Sequence, residues 1–406
     1  MSRAYEDDLE QPFFDTSKPG PSPNAGKRMP ARRRRAKMEL RRTTMHMRAR
    51  QPSLHRRSIG SLPRGASAWF AACCLLLAGC AAGGQPVPTW NRPQVELRWP
   101  LPPEPPRVAY VGALTSGDDL GRQAGFLQGL VRLVTGHEPR NMVKPIALAK
   151  NANDLLVVVD PAIPTVHFFD LRRSRYERLS RKLSSELLSP VGVAVSDDGR
   201  VYVSDSVRAK ILVLGGPERL VGTIGEGVLQ RPTGLALSPD GNTLYAVDTL
   251  SAQVVAFDRK GRELRRMGGR GTGRGSLNFP TYVATSLDGR VFVADSLNFR
   301  VQVFSPDGDH LMSFGGPGNA AGTFTRPKGV GVDRFGHCFV ADAAFENVQV
   351  FDEQGRLLMA FGSSGSGPGQ FTLPAGIWVD HHDDTIWVAD SFNQRVEAFR
   401  LVVDER

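Results

Sequence analysis

Val291-Phe292-Val293-Ala294-Asp295 is a short apolar strand that ends in an aspartate, and five other segments of the chain end in the same way. The spacings between successive aspartates are 45, 43, 47, 47 and 48 residues. A period in the forties that is built from short strands predicts the blades of a β-propeller. Because one such unit cannot bury both of its apolar faces, the units must pack around a ring. The six aspartates are Asp160, Asp205, Asp248, Asp295, Asp342 and Asp390.

Each repeat reads as four strands, a to d. In the fourth copy, strand a is predicted at Pro280–Thr285, strand b at Val291–Asp295, strand c at Arg300–Phe304 and strand d at residues 311–314. A proline opens each strand a, where a missing N–H costs least. The same order of strands and turns returns in every copy, although the first copy, at residues 155–170, is more divergent.

The last copy has no strand d, because the chain ends a few residues after Phe399. A spare strand precedes the first copy at residues 107–114, and we expect it to complete the sixth blade. This arrangement closes the ring and removes an exposed sheet edge. The sequence therefore predicts an all-β, six-bladed propeller over residues 107–402. Strand alternation places Val108, Tyr110 and Gly112 on one face of the closing strand.

Several repeat motifs resemble those of the NHL repeat family. The segment from Val293 to Phe304 joins Val-Ala-Asp-Ser to Asn-x-Arg-Val-Gln-Val-Phe. The resemblance covers residues 107–402 and is greatest to the six-bladed propeller lipoproteins of Gram-negative bacteria. Tyr282 replaces the usual glycine of the fourth opening, and Glu397-Ala398 replaces the usual Gln-Val. The Pro-x-Gly openings that carry the resemblance begin at Pro190, Pro232, Pro327 and Pro374.

The formal charge of +10 lies in the first 64 residues, which hold 16 Lys or Arg and 6 Asp or Glu. Residues 65–406 hold 35 of each sign, so the propeller itself is neutral. Residues 1–64 are interpreted either as a disordered leader, with the true start near Met45 or Met47, or as a basic arm that binds nucleic acid or membrane. The secretion signal that follows favours the leader and counts against nucleic acid as a partner.

Residues 65–79 form a short apolar stretch after a basic segment, which is typical of a signal peptide. They end in Leu77-Ala78-Gly79, and Cys80 follows. This sequence resembles the lipobox of bacterial lipoproteins, which implies a diacylglycerol modification on Cys80 and cleavage before it. Residues 80–106 are rich in proline and predict a stiff tether. By analogy with enteric sorting, Ala81 favours the outer membrane, with the propeller facing the periplasm or the exterior.

Propeller geometry separates two faces of the ring. The d–a loops and b–c loops lie on one face, here called the b–c face, and the a–b and c–d turns lie on the a–b face. Residues of the b–c face that differ between blades are the better candidates for a binding rim, whereas the repeat aspartates are expected to accept hydrogen bonds from loop N–H groups. A ring of six carboxylates also leaves room for a cation in the channel. The rim candidates are Arg231, Tyr282, Phe299, Arg300, Arg326, Lys328, Phe345 and Asn393.

An insert at residues 116–142 is predicted to contain a helix from about Gly121 to Thr135, which either covers the channel or packs on a blade flank. No nucleophile elbow or phosphate loop occurs in its required context. Some six-bladed relatives are metal lyases with central histidines, but His310, His337, His381 and His382 are expected in turns of the a–b face. We therefore predict no catalytic residues and no metal ligands.

The sequence thus predicts a membrane-anchored lipoprotein whose propeller is a scaffold for a protein or another extended ligand in the cell envelope. The alternative is a propeller hydrolase or lyase that uses a channel-bound cation. Apart from the lipid on Cys80 no cofactor is expected, and the repeat itself does not identify a ligand, because one fold carries many functions.

Overall fold

The computed structural model describes residues 95–121 and 141–403, and this part of the chain is a six-bladed β-propeller. Five blades are sheets of four antiparallel strands, and the sixth is a sheet of five. The fold class predicted from the repeat is confirmed. The predicted leader, the signal segment and Cys80 lie outside the described residues.

The strands are numbered here in chain order. The first fourteen are β1 (Arg98–Trp99), β2 (Val108–Leu114), β3 (Ala147–Lys150), β4 (Leu155–Asp160), β5 (Thr165–Asp170), β6 (Arg175–Arg178), β7 (Pro190–Val195), β8 (Val201–Asp205), β9 (Lys210–Leu214), β10 (Leu220–Ile224), β11 (Pro232–Leu237), β12 (Thr243–Asp248), β13 (Gln253–Asp258) and β14 (Glu263–Gly268). The others are β15 (Pro280–Thr285), β16 (Val291–Asp295), β17 (Arg300–Phe304), β18 (His310–Gly315), β19 (Pro327–Val332), β20 (Cys338–Asp342), β21 (Asn347–Phe351), β22 (Leu357–Phe361), β23 (Ser363–Ser364), β24 (Gln370–Phe371), β25 (Pro374–Val379), β26 (Thr385–Asp390) and β27 (Arg395–Leu401). Short helical segments are α1 (Arg181–Ser184) and the 3-10 turns Gly117–Leu120 and Ser296–Asn298.

Blades one to five take their strands a to d from β3–β6, β7–β10, β11–β14, β15–β18 and β19–β22. Strands b and c are buried almost throughout, because a neighbouring blade covers each of their faces. Strand d lies at the outside of the ring, and its residues alternate between exposed and covered positions. The apolar core is therefore divided into clusters between adjacent blades.

The N-terminal strand closes the ring as predicted. Strand β2 pairs with β27 in antiparallel register, with Val108 opposite Leu401 and Tyr110 opposite Phe399. The register shifts between Tyr110 and Gly112, so Gly112 lies opposite Ala398. The prediction that Gly112 shares a face with Val108 and Tyr110 is wrong, because this bulge inserts an extra residue and reverses the alternation.

A fifth strand extends blade six beyond the predicted four. Strand β1 pairs with the start of β2, with Trp99 opposite Val108. The Trp99 ring packs against Phe361 and Phe399, at centroid distances of 6.1 and 5.8 Å. The predicted linker at residues 80–106 therefore contains a strand that belongs to the propeller.

The insert is described only at its two ends. The Ser116 side chain accepts a hydrogen bond from the Asp118 N–H, and the Asp119 carboxylate accepts one from the Ser116 N–H, which caps the 3-10 turn Gly117–Leu120. Of the helix predicted from Gly121 to Thr135, only Gly121 belongs to the described residues. None of the helices in the described ranges is long and apolar enough to cross a membrane.

Truncation tests the closure of the ring. Deletion of residues 81–106 should lower the free energy of unfolding by about 2 kcal/mol, because it removes the partly buried Trp99 ring. Extension of the deletion to residue 114 should destabilise the protein much further, because it removes β2 and leaves β27 as an exposed sheet edge. Urea unfolding of both truncations measures the difference.

Trp99→Ala is the matched control and should reproduce most of the effect of the shorter deletion. Equal stability of the two truncations would contradict closure by β2.

Candidate functional site

The six repeat aspartates hold the loops of the b–c face. All six are fully buried. Asp205 shows the pattern, since its carboxylate accepts hydrogen bonds from the Leu188 and Ser189 N–H groups before strand a, and from the Val207 and Arg208 N–H groups after strand b. Backbone N–H groups of the d–a loop bind the corresponding carboxylate in every other blade. Each aspartate thus fixes the loop that precedes its strand a, and Asp160, Asp205 and Asp342 also bind N–H groups of the b–c loop.

The residue after the aspartate connects one blade to the next. Ser206 Oγ donates to the carbonyl oxygen of Pro232 at 2.6 Å, and Thr249 Oγ1 donates to that of Pro280 at 2.7 Å. Ser391 makes the same contact across the closure of the ring, with Pro145 at 2.7 Å. The Asp-Ser dipeptide of the repeat therefore serves packing between blades.

Two of the eight rim candidates form hydrogen bonds with the repeat aspartate and the d–a loop of their own blade. Arg300 donates to the carboxylate of Asp295 and to two carbonyl groups of the preceding loop. Asn393 donates to Asp390 at 2.7 Å and to the carbonyl of Gly365 at 2.8 Å. Both side chains reinforce the loops that the aspartates hold.

The other candidates of this face differ in exposure. Arg231 and Arg326 are exposed, whereas Phe299, Lys328 and Phe345 are partly covered. The Arg231 guanidinium lies 5.7 Å from the centroid of the Phe279 ring. Burial, together with the charges of Arg326 and Lys144, lowers the pKa of Lys328. The structure thus brings several cations to this face.

Tyr282 closes the central channel. It belongs to strand a of blade four, yet its hydroxyl donates to the carbonyl oxygen of Ile146 in blade one at 2.5 Å. Blades one and four lie opposite each other in a ring of six, so this side chain crosses the channel. Burial raises the pKa of Tyr282. The residue predicted for the rim is therefore a plug inside the ring.

Glycine occupies the corresponding position in four other blades. A Cβ atom on Gly192 would lie 2.0 Å from the carbonyl oxygen of Thr233, and one on Gly329 would lie 2.3 Å from that of Ala375. The inner strands thus pass too close for side chains at this level. Two large residues nevertheless reach the inner strands of blades one and two, namely Tyr282 and Trp378.

A cavity of about 280 Å³ opens from this plug toward the a–b face. Its wall consists of the inner strands, and is mostly aliphatic apart from Trp378. Polar groups collect where strands a end, at the outer part of the cavity. The lining residues used below are Lys150, Asn151, Ser196, Tyr282, Ala284, Trp378, Asp380, His381 and His382.

A buried lysine dominates the polar end. Lys150 Nζ lies 2.8 Å from Asp380, 2.9 Å from Asp154 and 3.1 Å from Asp383. Burial alone would lower the pKa of Lys150, but the hydrogen bonds to Asp380 and Asp154 outweigh it, so the pKa is raised. Three carboxylates around one ammonium leave this end of the cavity net negative.

Of the four histidines expected in turns of the a–b face, His337, His381 and His382 are found in a–b turns, whereas His310 begins strand β18. Two of them line the cavity. His381 and His382 follow Asp380 in the a–b turn of blade six, and burial lowers the pKa of His381. Among the described residues no three His, Cys, Asp or Glu side chains are grouped to hold a metal ion. The sequence prediction missed Lys150 and Trp378, which only the packing of the six blades brings together.

Comparisons with known proteins agree on the architecture. A family model described as a 6-bladed beta-propeller matches residues 334–402, and one described as the SMP-30/Gluconolactonase/LRE-like region matches residues 165–322. No curated protein matches the chain. The chain has the six-bladed propeller fold.

Three solved structures from Bacteroides share this fold. A protein of unknown function from Bacteroides thetaiotaomicron is 17% identical, with 73% of this chain and 76% of that chain covered and a TM-score of 0.53. An auxiliary nutrient binding protein from the same species is 13% identical, with 64% and 69% covered and a TM-score of 0.52. A protein of the same description from Bacteroides ovatus is 12% identical, with 65% and 72% covered and a TM-score of 0.51. At these identities the likeness concerns the fold alone.

Glu397 is a second departure from the repeat. In blade four the corresponding Gln302 accepts a hydrogen bond from the Gly275 N–H and donates one to Asp295. Glu397 accepts from the Gly369 N–H through Oε1, but its Oε2 has no hydrogen-bond partner among the described residues. Burial raises the pKa of Glu397 to about 8, although Arg395 opposes the shift. A carboxyl group replaces the amide here, and Arg395 Nη2 lies 3.1 Å from its Oε1.

This carboxyl group predicts a pH-dependent stability. Its pKa rises from 4.5 to about 8 on folding. The contribution of the protonated group to the free energy of unfolding is therefore complete below pH 4.5 and is lost as the pH rises to 8. The loss is about 1.4 kcal/mol per pH unit. Urea unfolding compares the free energies of unfolding of Glu397→Gln and wild type. The difference in favour of the variant should be about 2 kcal/mol larger at pH 8 than at pH 6.

Gln302→Glu in blade four is the matched control and should introduce the same dependence there. Parallel pH profiles for wild type and Glu397→Gln would contradict the raised pKa.

Proposed function

We propose that this protein is a lipid-anchored, ligand-binding propeller of the NHL type in the bacterial cell envelope. The apolar segment at residues 65–79, the lipobox-like residues before Cys80 and the proline-rich tether support the anchor. By this proposal, diacylglycerol on Cys80 holds the propeller at the outer membrane, facing the periplasm or the exterior.

The observation that carries the binding function is the closed channel. Tyr282 closes one end of the cavity. The wall is aliphatic, and polar groups lie at the other end. Pockets that combine apolar walls with a few placed polar groups are typical of small-molecule sites. The ligand that fits is compact and mostly apolar, with a neutral or cationic polar group near Asp380 and Asp383.

The cavity is tested with 1-anilinonaphthalene as an apolar fluorescent probe. Ala284 lies two residues after Tyr282 in β15, so both side chains have the same direction, and Ala284 lines the cavity. We expect saturable binding by the wild type and at least tenfold weaker binding by Ala284→Phe, because the new ring fills the cavity.

Leu311→Phe on the outer strand β18 is the control and should bind the probe as the wild type does. Equal affinity of Ala284→Phe and wild type would contradict a ligand site in the channel. The match to the gluconolactonase-like region supports the alternative function, a hydrolase or lyase with a channel cation. Turnover of a lactone that a chelator abolishes would establish that alternative.

The anchor is tested separately. Cys80→Ala should abolish labelling of the protein with radioactive palmitate and release it from the membrane fraction, because the thiol that follows the lipobox-like residues is removed. Cys338→Ala is the control, since Cys338 is buried inside blade five. Unchanged labelling of Cys80→Ala would contradict the lipid anchor.

A further inference from the structure

Exposed apolar side chains recur on the loops of the b–c face and are rare on the a–b face. Of the seventeen large apolar residues exposed in the described ranges, seven lie on loops of this face, and only Leu287 and Phe335 lie on turns of the a–b face. The other eight lie on the outer strands d or near the two ends of the described chain. The exposed fractions of the seven run from 39% for Phe279 to 65% for Val207. Between the two faces of the ring the apolar exposure is therefore one-sided, as expected for an interaction surface. The seven are Val143, Leu188, Val207, Leu250, Phe279, Leu297 and Phe392.

The repeat itself generates this pattern. Val207, Leu250, Leu297 and Phe392 each stand two residues after a repeat aspartate, at the tip of a b–c loop. Ala162 and Ala344 occupy the same position in the other two blades, and both are exposed. Every blade therefore presents an apolar side chain at the same level around the ring. These residues are here called the apolar tips.

The loops that carry the tips are fixed in advance. The Asp205 carboxylate accepts hydrogen bonds from the N–H groups of both Leu188 and Val207. The Asp160 carboxylate holds Val143 and Ala162 in the same way. The backbone at these tips loses little freedom when a partner binds, so the surface is preorganised.

Cations accompany the apolar tips. Lys144 Nζ lies 5.6 Å from the Phe392 ring, and the Arg231 guanidinium lies close to Phe279. Within the described chain, Lys144, Arg326 and Lys328 make no ion pair, and their charges influence one another. From blade three to blade five this face carries Arg231, Arg270, Arg274 and Arg326 on its loops and Lys328 near the start of β19, against the glutamates Glu226 and Glu346.

We propose that the b–c face docks on the surface of an anionic phospholipid bilayer. A protein interface needs a continuous apolar core, whereas these tips are single side chains separated around a ring, with cations between them. The interfacial layer of a bilayer accommodates such side chains individually, and lipid phosphates attract the cations. Charge and shape therefore both favour a lipid surface over a protein partner. This inference goes beyond the proposed cavity site and leaves that cavity open, because it lies on the opposite face.

Vesicle binding tests the proposal without the lipid anchor. The full chain with Cys80→Ala is sedimented with vesicles of phosphatidylethanolamine and phosphatidylglycerol. Replacement of the four tips Val207, Leu250, Leu297 and Phe392 by serine should weaken binding at least tenfold, and exposed substitutions cost little stability. The control replaces four exposed leucines of the outer strands by serine and should bind within twofold of its parent. These leucines are Leu220, Leu264, Leu311 and Leu358.

A local reporter separates the b–c face from the basic leader, which is common to all variants. In the chain with Cys73, Cys74 and Cys80 replaced by alanine, Leu250→Cys carries an environment-sensitive nitrobenzoxadiazole label, since Cys338 is buried. Its emission should shift to the blue when vesicles are added, whereas a label on Leu311→Cys should not shift. Equal vesicle binding by the tip variant and its parent, or an unshifted label at position 250, would overturn the proposal. A shift at position 250 with an envelope protein extract but not with vesicles would also overturn it, in favour of a protein partner.

Discussion

The buried aspartate at the end of each strand b is the interaction on which the rest of the propeller depends. An unpaired carboxylate in the protein interior is costly, and here the cost is offset by N–H groups from the loops on either side. The aspartate therefore requires both loops to be in place, and the hydroxyl group that follows it in most blades requires the next blade to be in place. Local structure and ring assembly are coupled through one dipeptide.

This coupling explains the character of the two faces. Loops held by buried carboxylates display their tips rigidly, so apolar side chains at those tips remain exposed instead of folding back into the ring. The a–b face has short turns, and Asp288 there accepts hydrogen bonds from within its own turn. A cavity opens on that side, because Tyr282 blocks the other end of the channel. The b–c face therefore carries exposed apolar side chains on fixed loops, and the a–b face carries the opening of the cavity.

The repeat period predicted the fold and the closing strand, because spacing and alternation are properties of the sequence itself. Strand β1 was missed, since two residues carry no periodicity, and the bulge that turns Gly112 was missed because it depends on the pairing of β2 with β27. The candidate site was less predictable. Tyr282 was recognised as a departure from the repeat, but only the ring places its hydroxyl against Ile146.

The departures from the repeat carry the individual chemistry of this protein. Position seven after the repeat aspartate shows this, since it holds Gln302 and Gln349 in two blades, Glu397 in the sixth and His167 in the first. The glutamines accept hydrogen bonds from the d–a loop through their side-chain oxygens. Glu397 retains this contact only at the cost of a raised pKa, and His167 instead bonds to Tyr176. A repeat that is fixed at its aspartates can vary at such positions without loss of the ring. Tyr282 in place of glycine is the same kind of change. Its side chain crosses the channel and closes one end of the cavity.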